Sequence, residues 1–569
     1  MYAEVPVLQM PDEPVGKLLH RNEVLMKEAR EGPDVLLSDS VAILHKNRSR
    51  LVWSIMALWF FMVSVTSLSN LSVAVLQAVM VLSFPWLSRF PGGRGISLVW
   101  MLWGVSFVLS NFLLYIERES LLSWPRGFVY LAHLMLLLLQ AGLVDKAFAV
   151  RGLAGKLVRY AAAASVFLVC YLNVESIFLN QWHVAVVEVF FVLSVVIFYF
   201  SPFRVGRLGW VFFLFFLTSI VVSNTLSTIS GVGGGDWYRG AEVVAHLLLL
   251  LAMISWFLRD ERSVQVLLAT VAAATIVYLF VLMFYWSVLP DPRTYNWAGS
   301  PPFFRNIRHL GYLLCISMVV SSWGVFAYGG RLKVVALVTL VLSASMLLWS
   351  GGRGGFVAAC LGTLSLLLVF HGRPYAREWR WVVMAVLASF MLSSLFPVES
   401  GSMGWLTALL RTGGADSSNQ LSSGRLEIWR SLLPHISERM WFGWGGEGFL
   451  AVRESRSFVQ AHNGLLQLLL EWGVVGTALC VLALSRVLFV AVQQVVRKVQ
   501  PAQALRHQAL GISMMCALLA LSLVDGVFYH GLTLFFMMIA VALLLASESA
   551  CLSSGNAVSL EIDSRGRQC

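Results

Sequence analysis

Long apolar runs separated by short basic turns dominate the chain. A bilayer-crossing helix needs roughly 20 mostly apolar residues, and about sixteen runs meet that measure. They are 51–67, 71–87, 96–115, 128–144, 160–178, 184–200, 208–225, 241–257, 264–288, 311–327, 333–349, 355–370, 381–397, 465–485, 508–525 and 530–546. The runs are continuous rather than alternating, which excludes a membrane β-barrel. The pattern predicts an all-α polytopic membrane protein with about 16 transmembrane helices and a long polar loop between the thirteenth and the fourteenth. Arg486 sets the cytoplasmic end of the 465–485 span.

The polar positions orient the runs. Lys46, Arg48 and Arg50 precede the first span and place the N-terminus in the cytoplasm. Every second loop then carries an excess of basic residues, about 18 Lys and Arg against about 7 in the short loops of the other face. The bias persists along the chain, so it supports the span count as well as the direction. Both termini are cytoplasmic on this reading. The loop 289–310, the turn Ser350–Gly355 and the loop 398–464 fall on the extracytoplasmic face, which is periplasmic at a bacterial inner membrane. Residues 1–50, with Pro6, Pro11, Pro14 and Pro33 and no signal peptide, read as a cytoplasmic arm. Residues 547–569 read as a short polar cytoplasmic tail.

Composition narrows the partners. With 58% hydrophobic and 12% charged residues the chain belongs in a lipid bilayer. The net charge of +11 suggests nucleic acid, but topology alone accounts for these basic loops, and no nucleic-acid partner is expected. The cysteines are Cys170, Cys315, Cys360, Cys480, Cys516, Cys551 and Cys569, without a CxxC, so neither a disulfide framework nor a cysteine metal site is predicted. There is no GxxxxGK[ST] loop. A reaction on the extracytoplasmic face has no ATP or nucleotide sugar, so its donor arrives on lipid or by diffusion.

The chemistry concentrates in the extracytoplasmic segments. In Ser350-Gly-Gly-Arg-Gly-Gly355 the glycines permit a tight turn and close approach of a ligand. The following helix offers unpaired N–H groups to an anion, and Arg353 adds a planar fork suited to phosphate. The alternative is a tight interhelical turn with an interfacial arginine. In Ser422-Ser-Gly-Arg-Leu-Glu-Ile-Trp-Arg430 the Ser-Ser-Gly supplies capping chemistry, and Leu426, Trp429 and Leu433 predict one apolar helical face on the membrane surface. Pro434 is expected to end or kink that helix. Arg425 lies in its first turn, where the helix dipole disfavours a cation unless an anion is close; otherwise it is a solvated arginine beside Glu427. Asn463 is placed to cap the next span. His462 just precedes it, where the dipole favours a neutral imidazole able to accept a proton; the alternative is an interfacial histidine. The turn Gly443-Trp-Gly-Gly-Glu-Gly-Phe449 reads as a flexible aromatic turn, for a sugar face or as an interface anchor. Glu175, Glu188, Glu242 and His246 fall near the same face of their spans, either as interfacial residues or lining a wet cavity.

Together and in this order, SGGRGG, SSGRLEIW, GWGGEGF and QAHN running into LLEWGVVG resemble the O-antigen ligase superfamily of O-antigen ligases, polymerases and bacterial protein O-oligosaccharyltransferases, over roughly residues 300–545. The resemblance implies that 291–546 is a catalytic membrane region following N-terminal spans at 51–290. It implies a metal-independent and cofactor-free glycosyltransferase that uses an undecaprenyl-diphosphate-linked glycan as donor. Matched motif by motif, Arg353 and Arg425 hold the donor diphosphate, His462 serves the acceptor hydroxyl as base, and Arg308 is a supporting diphosphate ligand. The acceptor implied by a ligase is a lipid A core. A polymerase would instead join lipid-linked repeat units, and the larger span count leans that way. A lipid-linked-glycan transporter is the reading from another class, disfavoured because the polar residues cluster at one face rather than through the depth of the spans.

Overall fold

The computed structural model describes residues 151–171, 182–199, 207–231, 236–370, 373–399, 403–413, 417, 422–453, 459–497 and 502–566. The chain divides into a unit of residues 1–132 and a unit of residues 133–569, and all described residues belong to the second. The N-terminal arm, the four predicted spans between 51 and 144, and Glu175 lie outside the described residues.

The described residues form helices and no strand. They are α1 (Arg151–Tyr171), α2 (Trp182–Tyr199), α3 (Arg207–Ile229), α4 (Trp237–Arg259), α5 (Ser263–Val288), α6 (Ile307–Ala327), α7 (Gly330–Trp349), α8 (Arg353–Val369), α9 (Ala376–Ser393), α10 (Trp405–Gly413), α11 (Arg425–Glu438), α12 (Gly448–Val452), α13 (Gly464–Arg497), α14 (Ala502–Ser522) and α15 (Gly531–Gly566). Every predicted span from 160–178 onward overlaps one of these helices. Among the described residues eight helices are long and apolar enough to cross a membrane. The chain is a membrane protein because so many apolar lengths in one chain have no other solvent.

α6 is the central staff, with every residue from His309 to Phe326 buried. α8 lies close against α14, where a Cβ on Gly362 would stand 2.6 Å from the Ser513 carbonyl and 2.7 Å from Ala517 Cβ. Such small-residue contacts replace the hydrophobic drive that lipid cannot supply. The last helix continues to Gly566, so the backbone of the predicted tail is helical.

The long loop is built of short helices, and two of its details correct the sequence reading. α11 neither ends nor breaks at Pro434 but continues to Glu438. Its post-proline turn is held from outside, by the Trp444 indole N–H donating to the His435 carbonyl at 2.9 Å. The face that α11 buries is Ile428 and Leu432, packed with Trp444, Phe449, Ala461 and Leu470, with Trp429 only partly covered. Leu433 is exposed. The helix containing the predicted 465–485 span continues past Arg486. It runs to Arg497 with a break at Gly473, and Arg486 pairs with Glu548 of α15 at 2.8 Å.

That break organises the loop. Gly473 (φ 63°, ψ −169°) lies in a region open essentially to glycine alone. In a continuous helix the N–H groups of Val474 and Val475 would bond the carbonyls of Leu470 and Glu471. Here the Leu470 and Glu471 carbonyls accept from Trp444 N (2.8 Å) and Gly445 N (2.9 Å). The Val474 and Val475 N–H groups donate to the Met440 (2.8 Å) and Trp441 (3.2 Å) carbonyls. The segment 440–445 thus takes up these four groups that the break releases. A side chain at Gly473 would run into the Trp441–Phe442 backbone, and a Cβ at Gly443 would stand 2.6 Å from both acceptor carbonyls.

Gly473→Ala is therefore expected to destabilise the folded protein by at least about 3 kcal/mol. Gly329→Ala, at a helix N-cap with open space around it, is expected to stay within about 0.5 kcal/mol. Thermal unfolding of both variants in detergent checks the contrast.

Candidate active site

At one end of the bundle the N-termini of α6, α8, α11, α13 and α15 meet around a cavity of about 600 Å³. Arg308, Arg353, Arg425 and His462 all line it, although they come from segments far apart in sequence. Each is placed by local chemistry. Asn306 caps α6 by accepting from the Arg308 N–H at 2.9 Å. Gly351 (φ 67°) turns the chain between α7 and α8, so that Arg353 is the first helical residue of α8. Ser422 Oγ accepts from the Leu426 N–H at 3.3 Å and sets Arg425 as the first residue of α11. Asn463 Oδ1 accepts from the Leu466 N–H at 3.0 Å, the cap predicted for α13, and leaves His462 just outside the helix.

The cavity gathers positive potential. Helix N-termini carry a partial positive charge, and cations at those positions are disfavoured. Arg353 and Arg425 nevertheless occupy them, and the Ser423 Oγ, two residues before Arg425, accepts from Arg353 at 3.4 Å. Burial lowers the pKa of Arg425 below the ordinary arginine value; Arg308 and Arg353 lower it further, against the opposing pull of Asp525 and Tyr312. Arg305 also lines the cavity. An anion bound here relieves the crowding among these cations.

His462 is paired. Its Nδ1 lies 3.1 Å from Asp525 Oδ1 and its Nε2 lies 3.3 Å from an Arg308 Nη1. A guanidinium only donates, so this contact assigns the lone pair to Nε2 and the proton to Nδ1, facing the carboxylate. Burial opposes ionisation of Asp525, but the hydrogen bond and electrostatic pull of His462, the His530 ring and the Gly526 N–H outweigh it. They hold its pKa well below the usual carboxylate range. Gln460 Nε2 donates to the same Oδ1 at 3.3 Å and contacts His530 Nε2 at 2.8 Å. Three residues that border the cavity or flank its arginines, Phe303 (φ 62°), Ser423 (φ 56°) and His462 (φ 51°), have left-handed backbones. Each costs roughly 1–3 kcal/mol, strain typical of sites whose geometry is imposed by their surroundings.

Asp525 escaped the sequence reading because it was counted as the end of the 508–525 span, whereas α14 stops at Ser522. A carboxylate closing an apolar run was the available signal. The turn 443–449 is corrected in both its readings. It is buried from Gly443 to Phe449, lies outside the cavity, and is pinned to the α13 break. Its Trp444 packs under Arg439, the guanidinium carbon 4.2 Å from the ring centroid. Glu188 and His246 form a buried pair at 2.5 Å between α2 and α4 and do not line the cavity. Glu242 accepts from Arg239 at 2.9 Å and is likewise buried outside it.

Comparison with known proteins gives one family. Residues 338–481 match the family model of O-antigen ligase, which supports the family resemblance of the motifs. The matched stretch contains Arg353, Arg425, His462 and the Gly473 break. No curated protein matches the chain.

A pH dependence follows from Glu447, beside the cavity wall. Burial and the neighbouring Glu471 push its pKa up to about 8, against the opposing effects of Arg239 and the Tyr529 hydroxyl. A carboxyl whose pKa rises on folding contributes fully below its free value and loses that contribution as pH rises through the folded value. The melting temperature is expected to fall as pH rises from about 5 to about 8 and to level off above that, and Glu447→Gln to flatten that fall. Scanning calorimetry of both proteins across this range checks it.

Proposed function

We propose that the protein transfers a glycan from an undecaprenyl-diphosphate carrier to a hydroxyl of a lipid A core, on the periplasmic side of a bacterial inner membrane. The observation that carries this reading is one cavity lined by Arg353 and Arg425 at helix N-termini, with a carboxylate-paired histidine beside them. The match to O-antigen ligase over residues 338–481 supports the same class of reaction. The cavity's side rests on the basic loops, which lie at the opposite end of the helices. There Lys333 meets Glu378 at 2.8 Å and Arg159 meets Asp260 at 2.9 Å.

The donor diphosphate lies against Arg353, Arg425 and the first N–H groups of α8, with Arg308 in support. The acceptor hydroxyl approaches His462 Nε2, displacing the exposed Arg308 guanidinium. The hydroxyl oxygen bonds the anomeric carbon as its proton passes to Nε2. The bond from that carbon to the diphosphate oxygen breaks, and its electron pair leaves on the diphosphate. The arginines and helix ends act on charge that grows during bond breaking, which is where fixed positive groups accelerate a reaction. Asp525 keeps Nδ1 protonated, orients the ring and stabilises the imidazolium. Direct displacement inverts the anomeric centre.

The test is turnover by purified enzyme in detergent with lipid-linked glycan and lipid A core. His462→Ala is expected to lower kcat by about 10²–10⁴-fold, the usual contribution of a positioned general base. Arg353→Ala and Arg425→Ala are expected to weaken donor use most. Full activity of His462→Ala overturns the base assignment. Extension of lipid-linked glycan in place of core modification would make the enzyme a polymerase.

A further inference from the structure

One buried cation outside the cavity touches the loop that carries Asp525 and, through two residues of α13, reaches the loop that carries His462. Arg239, in the first turn of α4, is only 2% exposed and does not line the cavity. Its Nη2 donates to the Phe528 carbonyl at 2.7 Å and its Nη1 to Glu242 at 2.9 Å. Its guanidinium carbon stands 5.2 Å from the centre of the Tyr529 ring, and the Tyr529 hydroxyl donates to Glu447 Oε2 at 2.9 Å. Phe528 and Tyr529 belong to the α14–α15 turn, whose Asp525 faces His462.

The other arm runs through α13. Arg239 Nε lies 3.7 Å from Glu471 Oε2, an ion pair too long for a direct hydrogen bond. Glu471 Oε1 accepts from Gln467 Nε2 at 2.9 Å, and Gln467 Oε1 accepts from the Ala461 N–H at 2.9 Å. Ala461 immediately precedes His462. Gln467, Glu471 and Ala461 have no exposed surface. A charge buried this deeply in a membrane bundle is held only where its partners are fixed, and it fixes them in return. The planar, multidentate guanidinium suits this role, since a lysine ammonium cannot reproduce its fork.

From this geometry we infer that Arg239 is the positioning residue of the His462–Asp525 pair. It holds the Asp525 turn through Phe528 and Tyr529, and the His462 backbone through Glu471 and Gln467. The inference rests on the proposed reaction for its kinetic consequence, but its structural consequence stands apart. Arg239 touches neither substrate nor reacting atoms on this reading. Its loss therefore lowers kcat while leaving donor KM in place, since Arg353 and Arg425 are held by other elements.

The experiment compares wild type, Arg239→Gln, Asp525→Asn, the double variant and Gln467→Leu, as full-length protein in detergent. Hydrogen–deuterium exchange is read at 459–463 and 523–530, and turnover is read alongside. Arg239→Gln is expected to speed exchange in both segments and to lower kcat by about 10²-fold, the scale of an ångström misplacement. It should cost nothing further in the Asp525→Asn background, because both changes act on one pair. Gln467→Leu cuts only one arm and should speed exchange at 459–463 alone; it decides the question if Arg239→Gln does not fold. Unchanged exchange in both segments overturns the inference, as does a kinetic cost that adds to that of Asp525→Asn. If Asp525→Asn keeps full activity, the proposed chemistry falls, while the exchange data still decide whether Arg239 holds the two turns.

Discussion

A broken helix inside a membrane bundle must have every freed backbone group taken up, because lipid offers no water to do it. At the interruption of α13 at Gly473, the segment 440–445 binds the carbonyls of Leu470 and Glu471 and the N–H groups of Val474 and Val475. The rest of the cavity hangs on that junction. It ties the long excursion between α9 and α13 to the transmembrane core. It places the buried cluster of Ile428, Leu432, Trp444 and Phe449 beneath α11. With α11 so anchored, Arg425 is carried to the cavity beside Arg353, and the short stretch of α13 before the break delivers His462 opposite Asp525.

The cavity's electrostatics follow from how the helices alternate. Spans that begin at one end of the bundle bring their positive N-termini to the same place. Two helices that start there, α8 and the loop helix α11, begin with arginine. Such an arrangement is self-repelling, since Arg308 and Arg353 add to burial in lowering the pKa of Arg425, and it suits a multiply charged anion. The nearby carboxylate, Asp525, is turned toward His462 rather than toward the arginines, so charge compensation and base orientation are kept on different partners. Below this layer Arg239 gathers Glu242 and Glu471, with Glu447 close by, and sets a second, buried layer of charge outside the cavity.

The motifs made the four candidate residues legible because each sits at a helix start with recognisable punctuation. Glycines flank Arg353, Ser-Ser-Gly precedes Arg425, and Asn caps follow or precede the loop histidine and Arg308. The structure brings these four to one cavity. Their partners carried no such local sign. Asp525 lies at the end of an apolar run, Arg239 follows a glycine stretch before α4, and Gln467 and Glu471 lie within a helix that reads as membrane. The aromatic glycine turn misled because its glycines serve close backbone packing, not ligand access. Its readable feature was composition, whereas its role comes from the carbonyls of Leu470 and Glu471.

By itself the sequence determined the solvent and the element type. Apolar length and continuity dictate helices in a bilayer, and every predicted span from 160 onward has its helix. It also determined where helices start, since caps, glycines and N-terminal arginines are local chemistry within a few residues. Tertiary structure alone decided that α13 breaks at Gly473, that α11 passes through Pro434 and that Leu433 faces outward. It alone decided that His462 meets Asp525 and that Arg239 reaches both of their turns. These outcomes depend on hydrogen bonds and packing between segments tens to hundreds of residues apart, which no periodicity or spacing in a single stretch encodes.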